Sequence, residues 1–344
     1  MTIPTGQNPG REAPPGLSWG DLIAALIEAH GTVTAVAWRL IEHADGDDVA
    51  SVERALRRLR TRGQHDGGVW GQRVLRVFGV PASIADRVRW MGLYHSPFND
   101  LPVALCLDQI RIWDRPPIAD SRARIWLYLG RASCALRTRR LDDAELHLAR
   151  ARAALAAPVA DDACAQLELA LVEGFAASRR GAPDAVAAAL ARAGALLADP
   201  TLSSHDRACF AARHADQLAY QLNRDGDHEA ALALYEALPA ADHHPFASYR
   251  RDAGRAFGWF RLGRPEEAHA FARRACDHAG DGGYVRLRAM GLLLLARIEG
   301  AAGKATRARA RAIAIRLGDD ELLARVDHQE RGAPVISGDA DPRP

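Results

Sequence analysis

The stretch RLGRPEEAHAFARRACDHA (261–279) places a short polar turn before a helix of small residues, and the arrangement occurs three times earlier in the chain. The earlier copies are RRLDDAELHLARARAAL (139–155), RRGAPDAVAAALARAGALL (179–197) and RDGDHEAALALYEAL (224–238). The alanines that open the four helices recur about every 40 residues, a period typical of stacked helical hairpins: Ala144, Ala185, Ala230 and Ala268. Small residues there allow two helices to approach closely, so the pattern predicts a helical repeat region.

The rest of the chain alternates amphipathic helical runs with short Gly, Pro and Asp turns, and no run has the period-two alternation of a strand. The sequence therefore predicts an all-α protein. Residues 1–16 and 329–344 are rich in Pro, Gly and Asp and offer little to bury, so we expect both to be disordered tails.

Tryptophan usage divides the remaining chain. Six of the seven tryptophans precede residue 127, and the later residues are dominated by alanine. The change falls at DRPPIADSR (114–122). We predict a three-helix module at 17–80, a helical connector at 81–121 and helical repeats at 122–328. Prolines bracket the connector's helix, which we expect from Pro102 to Trp113.

The repeats resemble tetratricopeptide repeats, and the clearest copy is Tyr249 to Ala279. Its small, aromatic, turn and packing positions hold Ala256, Trp259, Gly263, Ala268 and Ala275. Asp252 and Arg255 stand where the family usually buries apolar side chains. The resemblance implies a superhelix whose concave face is lined by the first helix of each pair and holds a peptide or protein partner.

The register implied by this resemblance places arginine, aromatic and amide side chains on the concave face. These candidate partner-binding residues are Arg213, Tyr220, Asn223, Arg224, Arg250, Phe257 and Arg261. Arginine and aromatic residues are the types that anchor partners. We therefore expect substitutions at Arg250 or Arg261 to weaken partner capture with little loss of stability. Packing of Phe257 and Phe260 between neighbouring hairpins is an equal alternative.

Residues 17–63 form three predicted helices, SWGDLIAALIEAH, TVTAVAWRLIEHA and DVASVERALRRLRTR. In the third, Val49, Val52, Leu56 and Leu59 form an apolar stripe. The opposite face carries six polar or basic residues: Ser51, Arg54, Arg57, Arg58, Thr61 and Arg62. This order resembles a helix-turn-helix unit, which implies that these six residues contact double-stranded DNA.

Two features leave the role of this module open. The turn before the third helix contains Asp45, Asp47 and Asp48, which would repel phosphate, and a three-helix cap with solvated arginines is the alternative. The following stretch GGVWGQRVLRVFG (67–79) fits either a wing or a fourth helix. Asp47 or Asp48 is expected to cap the third helix.

The formal net charge is only +2, which gives no global reason to expect a nucleic-acid or membrane partner. Lys304 is the single lysine, so the arginine count reflects a coding bias and is discounted as evidence for phosphate contacts. The five cysteines are odd in number and lie in apolar segments, which favours buried thiols in a reducing compartment. With no leader or spanning segment recognised, we expect a cytoplasmic location and no membrane partner.

No catalytic constellation is present in the sequence. The pairs Ser133/Cys134 and His95/Asp100 lack a third partner, and no HExxH or Cys-Xaa-Xaa-Cys motif supports the histidines at 228, 243 and 244. We therefore predict no enzyme activity, no metal and no cofactor. The expected function is a non-enzymatic adaptor or transcriptional regulator that binds a protein or peptide. The alternative is an interaction scaffold without nucleic-acid binding, and self-association stays open.

Overall fold

The computed structural model describes residues 16–43, 48–156, 162–239 and 244–331. Within these ranges it contains seventeen α-helices, three short 3-10 helices and no strand, which confirms the predicted all-α class. Residues 68–78 are helical, so the wing alternative is wrong. Most of both predicted tails, residues 45–47 of the acidic turn and His243 lie outside the described residues.

The chain divides into two compact units. The first comprises Met1–Asp86 with Gln109–Arg124, and the second comprises Arg87–Asp108 with Ile125–Pro344. The predicted connector is therefore shared between the units. Its helix, Val103–Trp113, lies where the sequence predicts it.

The first unit is built on short capped helices. They are α1 (Trp19–His30), α2 (Val33–Ile41), α3 (Val49–Arg60), α4 (Gly68–Phe78), the first residues of α5 (Ala82–Gly92), the last residues of α6 (Val103–Trp113) and a 3-10 helix at Ile118–Asp120. Ser18 and Asp21 form a capping box on α1, and Asp48 caps α3 by accepting from the Ser51 backbone N at 2.9 Å. The predicted Asp48 cap is confirmed.

Trp19 is fully buried in the first unit. Its Nε1 donates to the backbone oxygen of His65 at 2.8 Å. A Cβ added at Gly67 would lie 2.3 Å from the Trp19 ring, and one at Gly71 would lie 2.7 Å from it. The absence of a side chain at these two glycines therefore lets the start of α4 pack directly on the Trp19 indole.

The second unit is a series of longer helices. They are α7 (Arg124–Arg137, from Ile125), α8 (Leu141–Leu155), α9 (Ala163–Arg180), α10 (Pro183–Leu196), α11 (Ser204–Asp225), α12 (His228–Glu236), α13 (Pro245–Arg261), α14 (Pro265–Asp281), α15 (Val285–Ile298), α16 (Lys304–Leu317) and α17 (Asp320–Glu330), with 3-10 helices at Pro97–Asp100 and Gly300–Gly303. Each helix from α8 to α17 packs against the next one in the chain. Short connections enforce this order: Gly226 adopts a left-handed conformation (φ 86°) to end α11, and Asp227 caps α12.

The buried register of the repeats differs from the alanine alignment. Ala144 and Ala268 are fully buried, as predicted, but Ala185 is exposed and Ala230 is only half-buried. The buried position is the fourth residue of α8, α10, α12 and α14, which places Val186 and Ala231 in the two middle copies. The expectation that Ala185 and Ala230 lie in the contact between paired helices is wrong. The position of a residue relative to the start of its helix, and not its identity, sets whether its side chain faces the neighbouring helix.

No single helix in the described part of the chain combines the length and the apolar composition needed to cross a bilayer. The helices α1 and α2 meet both requirements only as a pair, and that pair is bent by 91°.

Candidate ligand pocket

A pocket of about 660 Å³ lies inside the second unit, and this volume includes the solvent space at its open mouth. Every second helix from α7 to α17 contributes to its wall, because each presents the same inward face. The lining residues are Tyr94, Ser133, Leu136, Arg137, Leu171, Val172, Phe175, Arg213, Asp216, Gln217, Arg250, Arg286, Met290, Glu321 and Arg325.

Arginines dominate the polar part of the wall, and each contacts a buried carboxylate. The Arg213 guanidinium donates to both carboxylate oxygens of Glu168, at 2.5 and 2.8 Å. Arg250 donates to Asp216 Oδ2 at 2.9 Å. Such bidentate and charge-assisted pairs hold the guanidinium planes in fixed orientations.

The remaining arginines share their carboxylates. Asp319 Oδ2 accepts from Arg137 Nε at 3.0 Å and from Arg286 Nε at 2.7 Å. Glu321 Oε1 accepts from Arg325 Nε at 3.3 Å and also contacts Arg179. Asp319 therefore pairs with two guanidinium groups, and Glu321 pairs with three, because Arg139 Nε also lies 3.9 Å from its Oε2.

Arginine is the prevailing charged residue of the pocket wall. Five arginines and two acidic residues, Asp216 and Glu321, line the pocket, and the carboxylates of Glu168 and Asp319 also pair with these arginines. Burial and, after it, the nearby charge of Arg286 lower the pKa of Arg325 to about 10. A lining rich in arginine favours an anionic ligand.

Tyr94 places its ring and hydroxyl among these arginines. Its hydroxyl accepts from Arg250 Nη2 at 3.0 Å and from Arg286 Nη1 at 2.7 Å, and the Arg213 guanidinium lies 4.7 Å from its ring centroid. Burial raises the pKa of the Tyr94 hydroxyl, but the surrounding arginine charges outweigh this effect and lower the pKa to about 8. The tyrosine thus experiences the same positive field.

Two buried polar atoms of the pocket residues have no hydrogen-bond partner among the described residues. They are Gln217 Oε1, an acceptor, and Arg250 Nε, a donor. Gln217 is held in place because its Nε2 donates to the backbone oxygen of Leu171 at 2.8 Å. The other part of the wall is apolar and consists of Leu136, Leu171, Val172, Phe175 and Met290. The pocket therefore offers sites for an anion, for an N–H donor and for an apolar group.

The structure separates the seven predicted partner-binding residues into different places. Arg213 and Arg250 line the pocket, and Phe257 belongs to the apolar core formed by α13, α14 and α15. Asn223 and Arg261 both contact the ring of His228, at 2.8 and 3.0 Å respectively. Tyr220 is half-buried, and Arg224 is exposed.

The expectation that these residues form one exposed face is wrong for three of them. Arg213 and Arg250 are each 5 % exposed, and Phe257 is 9 % exposed. The reason is packing: the inward faces of alternate helices converge, so charged side chains on them meet carboxylates from neighbouring helices and not water. The alternative that Phe257 packs between hairpins is confirmed.

Sequence reasoning missed Tyr94, Arg137, Arg286 and Arg325. A signal was nevertheless present, because the unit at Tyr249–Ala279 carries charged residues where the tetratricopeptide pattern has apolar ones. Asp252 is fully buried and pairs with Arg274 Nη2 at 2.9 Å. Asp252 is thus a charged residue at a position expected to be apolar, and it forms a buried ion pair. Arg286 on α15 and Arg325 on α17 are likewise buried and paired with carboxylates, and both line the pocket.

The predicted DNA-contacting face of α3 is largely solvent-exposed. Arg54, Arg57, Arg58, Thr61 and Arg62 are exposed, and Ser51 is half-buried. Arg57 pairs with Glu53 at 3.0 Å, and Arg54 donates to Ser51 Oγ at 3.0 Å. Val52, Leu56 and Leu59 are buried against the rest of the unit, as predicted, and Val49 is half-buried.

The sequence fragments considered for catalysis have other partners. His95 lies 3.4 Å from Asp206 and not beside Asp100, whose Oδ1 accepts from the Arg286 backbone N at 2.5 Å. Ser133 Oγ donates to Asn99 at 2.9 Å. Comparisons of this chain with protein-family models, with curated proteins and with solved structures gave no match.

Proposed function

We propose that this protein is a non-enzymatic adaptor or regulator whose second unit binds the carboxyl-terminal end of a peptide or protein. The observation that carries the proposal is the pocket whose lining contains five arginines and two acidic residues. A terminal carboxylate would accept charge-assisted hydrogen bonds from these guanidinium groups.

The other features of the pocket also match a peptide end. Gln217 Oε1 has no donor, and a backbone N–H next to the terminal carboxylate would provide one. Phe175 and Met290 would contact an apolar terminal side chain. The assignment of the repeats as tetratricopeptide-like, although it remains a proposal, is supported by a pocket that is lined by every second helix.

Binding to short peptides tests the proposal. The full chain is titrated with a library of fluorescent octapeptides that end in apolar residues, each made with a free and with an amidated carboxyl terminus. Arg325→Gln removes the cation whose charge is least favourable, and Arg224→Gln removes an exposed arginine of α11 as the matched control.

We expect free peptides to bind and amidated peptides to bind weakly or not at all. Loss of a charged hydrogen bond of about 1.5–3 kcal/mol corresponds to roughly 10- to 150-fold weaker binding for Arg325→Gln. Arg224→Gln should leave the affinity unchanged. Equal binding of the free and amidated peptides, or no binding by any member, would contradict the proposal.

A second function, DNA binding by the first unit, is supported by the exposed basic face of α3. Arg54, Arg58, Arg60 and Arg62 are exposed on or just after this helix, and its apolar stripe is buried. Exposed arginines are free to approach phosphates, and each phosphate contact releases counterions. Together with the peptide pocket, this supports a regulator that couples partner binding to DNA binding.

Salt-dependent binding of the full chain to duplex DNA tests this second function. The double variant Arg54→Gln/Arg58→Gln should reduce the slope of log affinity against log salt by about 0.9 per lost contact. The variant Arg150→Gln/Arg316→Gln removes the same charge from exposed positions in the second unit and should leave the slope unchanged. Absence of binding at low salt would favour the scaffold without nucleic-acid binding.

A cytoplasmic location is part of the proposal. It is supported by the five cysteines, all of which are free thiols and three of which are buried. Free buried thiols are typical of proteins that stay in a reducing compartment.

A further inference from the structure

A second cluster, outside the pocket, brings two imidazoles and one thiol together. His95 follows α5, and His205 and Cys209 lie one turn apart on α11. One ring nitrogen from each histidine and the Cys209 Sγ all lie within 4.8 Å of one another. His95 and Cys209 are buried, whereas His205 is exposed and opens the cluster to solvent.

Each imidazole is fixed by a partner on one nitrogen and has the other nitrogen available. His205 Nδ1 lies 2.9 Å from His244 Nδ1, and its Nε2 faces Cys209 Sγ at 3.8 Å. His95 Nε2 lies 3.4 Å from Asp206 Oδ1, and its Nδ1 is buried without a hydrogen-bond partner among the described residues. Metal-ligating histidines show this arrangement, in which the second nitrogen is held by a carboxylate or another polar group.

Binding of a metal by Cys209 requires the thiolate. Cys209 would release its proton to solvent as the sulfur–metal bond forms.

Two arginines act on the cluster, and both are paired. Arg89 donates to Asp206 Oδ2 at 2.6 Å, and Arg213 is bound by both oxygens of Glu168. Their charges are therefore locally balanced. Nitrogen and sulfur donors of this kind favour Zn²⁺ over Mg²⁺ or Ca²⁺, which take oxygen ligands.

We propose that His95, His205 and Cys209 bind one Zn²⁺ ion, with the fourth position left to water. A site with three protein ligands is an open one. Because His95 directly follows Tyr94, the metal would also fix the segment that carries the pocket's tyrosine onto α11. This proposal is independent of peptide and DNA binding.

Cobalt(II) is the probe for the site, since a cobalt–thiolate bond produces a near-ultraviolet charge-transfer band. The full reduced chain, freed of metal by a chelator, is titrated with Co²⁺ and then with Zn²⁺. We expect one equivalent of Co²⁺ to produce the thiolate band and Zn²⁺ to abolish it. Cys209→Ser should lose the band, and His205→Ala should weaken Co²⁺ binding at least 10-fold.

Matched controls separate the cluster from other thiols and histidines. Cys276→Ser alters a thiol on α14, and His43→Ala alters an exposed histidine of the first unit; both should bind Co²⁺ like the unsubstituted chain. His205 is exposed, so its substitution should leave the far-ultraviolet dichroism unchanged even if Cys209→Ser perturbs folding. Absence of a thiolate band in the unsubstituted chain, or its retention in Cys209→Ser, would overturn the proposal.

Discussion

Arg250 was expected on an exposed face, but its side chain is buried in the structure. It lies on α13 with its guanidinium between Asp216 and the hydroxyl of Tyr94, and only 5 % of it is exposed. Its charge is balanced by hydrogen bonds within the protein and not by water. Substitution therefore affects the free energy of unfolding as well as any ligand.

We expect Arg250→Ala to lower the free energy of unfolding by about 3–5 kcal/mol, because it leaves the buried Asp216 carboxylate without its cation. Arg224→Ala, at an exposed position of α11, should change it by no more than about 0.5 kcal/mol. Urea unfolding followed by dichroism measures both values. Equally small changes in the free energy of unfolding for the two variants would contradict the buried ion pair and support an exposed Arg250.

Asp100 provides a pH-dependent contribution to stability. Burial raises its pKa from 3.8 to about 6, against the opposing hydrogen bond and charge of Arg286. The folded state therefore holds the proton more tightly than the unfolded chain does. The stability from this group is complete below pH 3.8 and is lost as the pH rises through about 6.

The isosteric variant Asp100→Asn should remove this pH dependence, because the amide oxygen can still accept from the Arg286 backbone N. At pH 7 it should be more stable than the unsubstituted chain by on the order of 2 kcal/mol. The difference between the two proteins should shrink as the pH falls to about 4. Thermal unfolding across this range checks the trend, and a constant difference would contradict it.

At the scale of helices, close packing depends on glycines at particular contacts. Gly254 on α13 is buried against α12, and a Cβ added there would lie 2.1 to 2.3 Å from ring atoms of Tyr235. The Tyr235 hydroxyl donates to Asp216, which fixes the ring. Neither side can easily yield, so the glycine sets how closely the two helices approach.

We expect Gly254→Ala to destabilise the protein by about 1–3 kcal/mol through overpacking, although alanine favours a helix. Gly280→Ala is the matched control on α14, where an added Cβ would meet no atom within 4 Å. It should stabilise the protein by up to about 1 kcal/mol. Chemical unfolding measures both variants, and effects of the same sign would contradict the packing argument.

At the scale of the second unit, Asp319 connects helices that are far apart in the chain. It accepts from Arg137 on α7, 182 residues earlier, and from Arg286 on α15, and it also caps α17 through the Leu322 backbone N. The first and last helices of the unit therefore meet at one carboxylate. Closure of the pocket wall depends on this contact.

We expect Asp319→Asn to lower the free energy of unfolding by about 3–5 kcal/mol, since two buried guanidinium groups would lose the carboxylate to which both donate. Asp320→Asn, at the exposed neighbouring position, should have an effect within about 0.5 kcal/mol. Hydrogen exchange of α7 and α17 provides the second measurement. Unchanged protection of both helices in Asp319→Asn would show that this carboxylate does not hold them together.

The sequence by itself determined the all-α class and the place of several helices. Apolar residues at three- and four-residue spacing, the caps at Ser18 and Asp48 and the turn at Gly226 are local signals that need no tertiary contact. The same local pattern correctly placed the buried stripe of α3. The alignment of the repeats by their alanines was wrong at Ala185 and Ala230, because it did not take into account where each helix starts.

Only the tertiary structure decided which polar residues meet. The pairs Arg213–Glu168 and Arg137–Asp319 join residues 45 and 182 positions apart, and His95 reaches His205 from a different part of the chain. No local spacing encodes such pairs, because they depend on how several helices are rotated and offset when they pack. For that reason the sequence predicted a helical repeat protein, whereas the arginine pocket and the histidine–cysteine cluster emerged only from the packed helices.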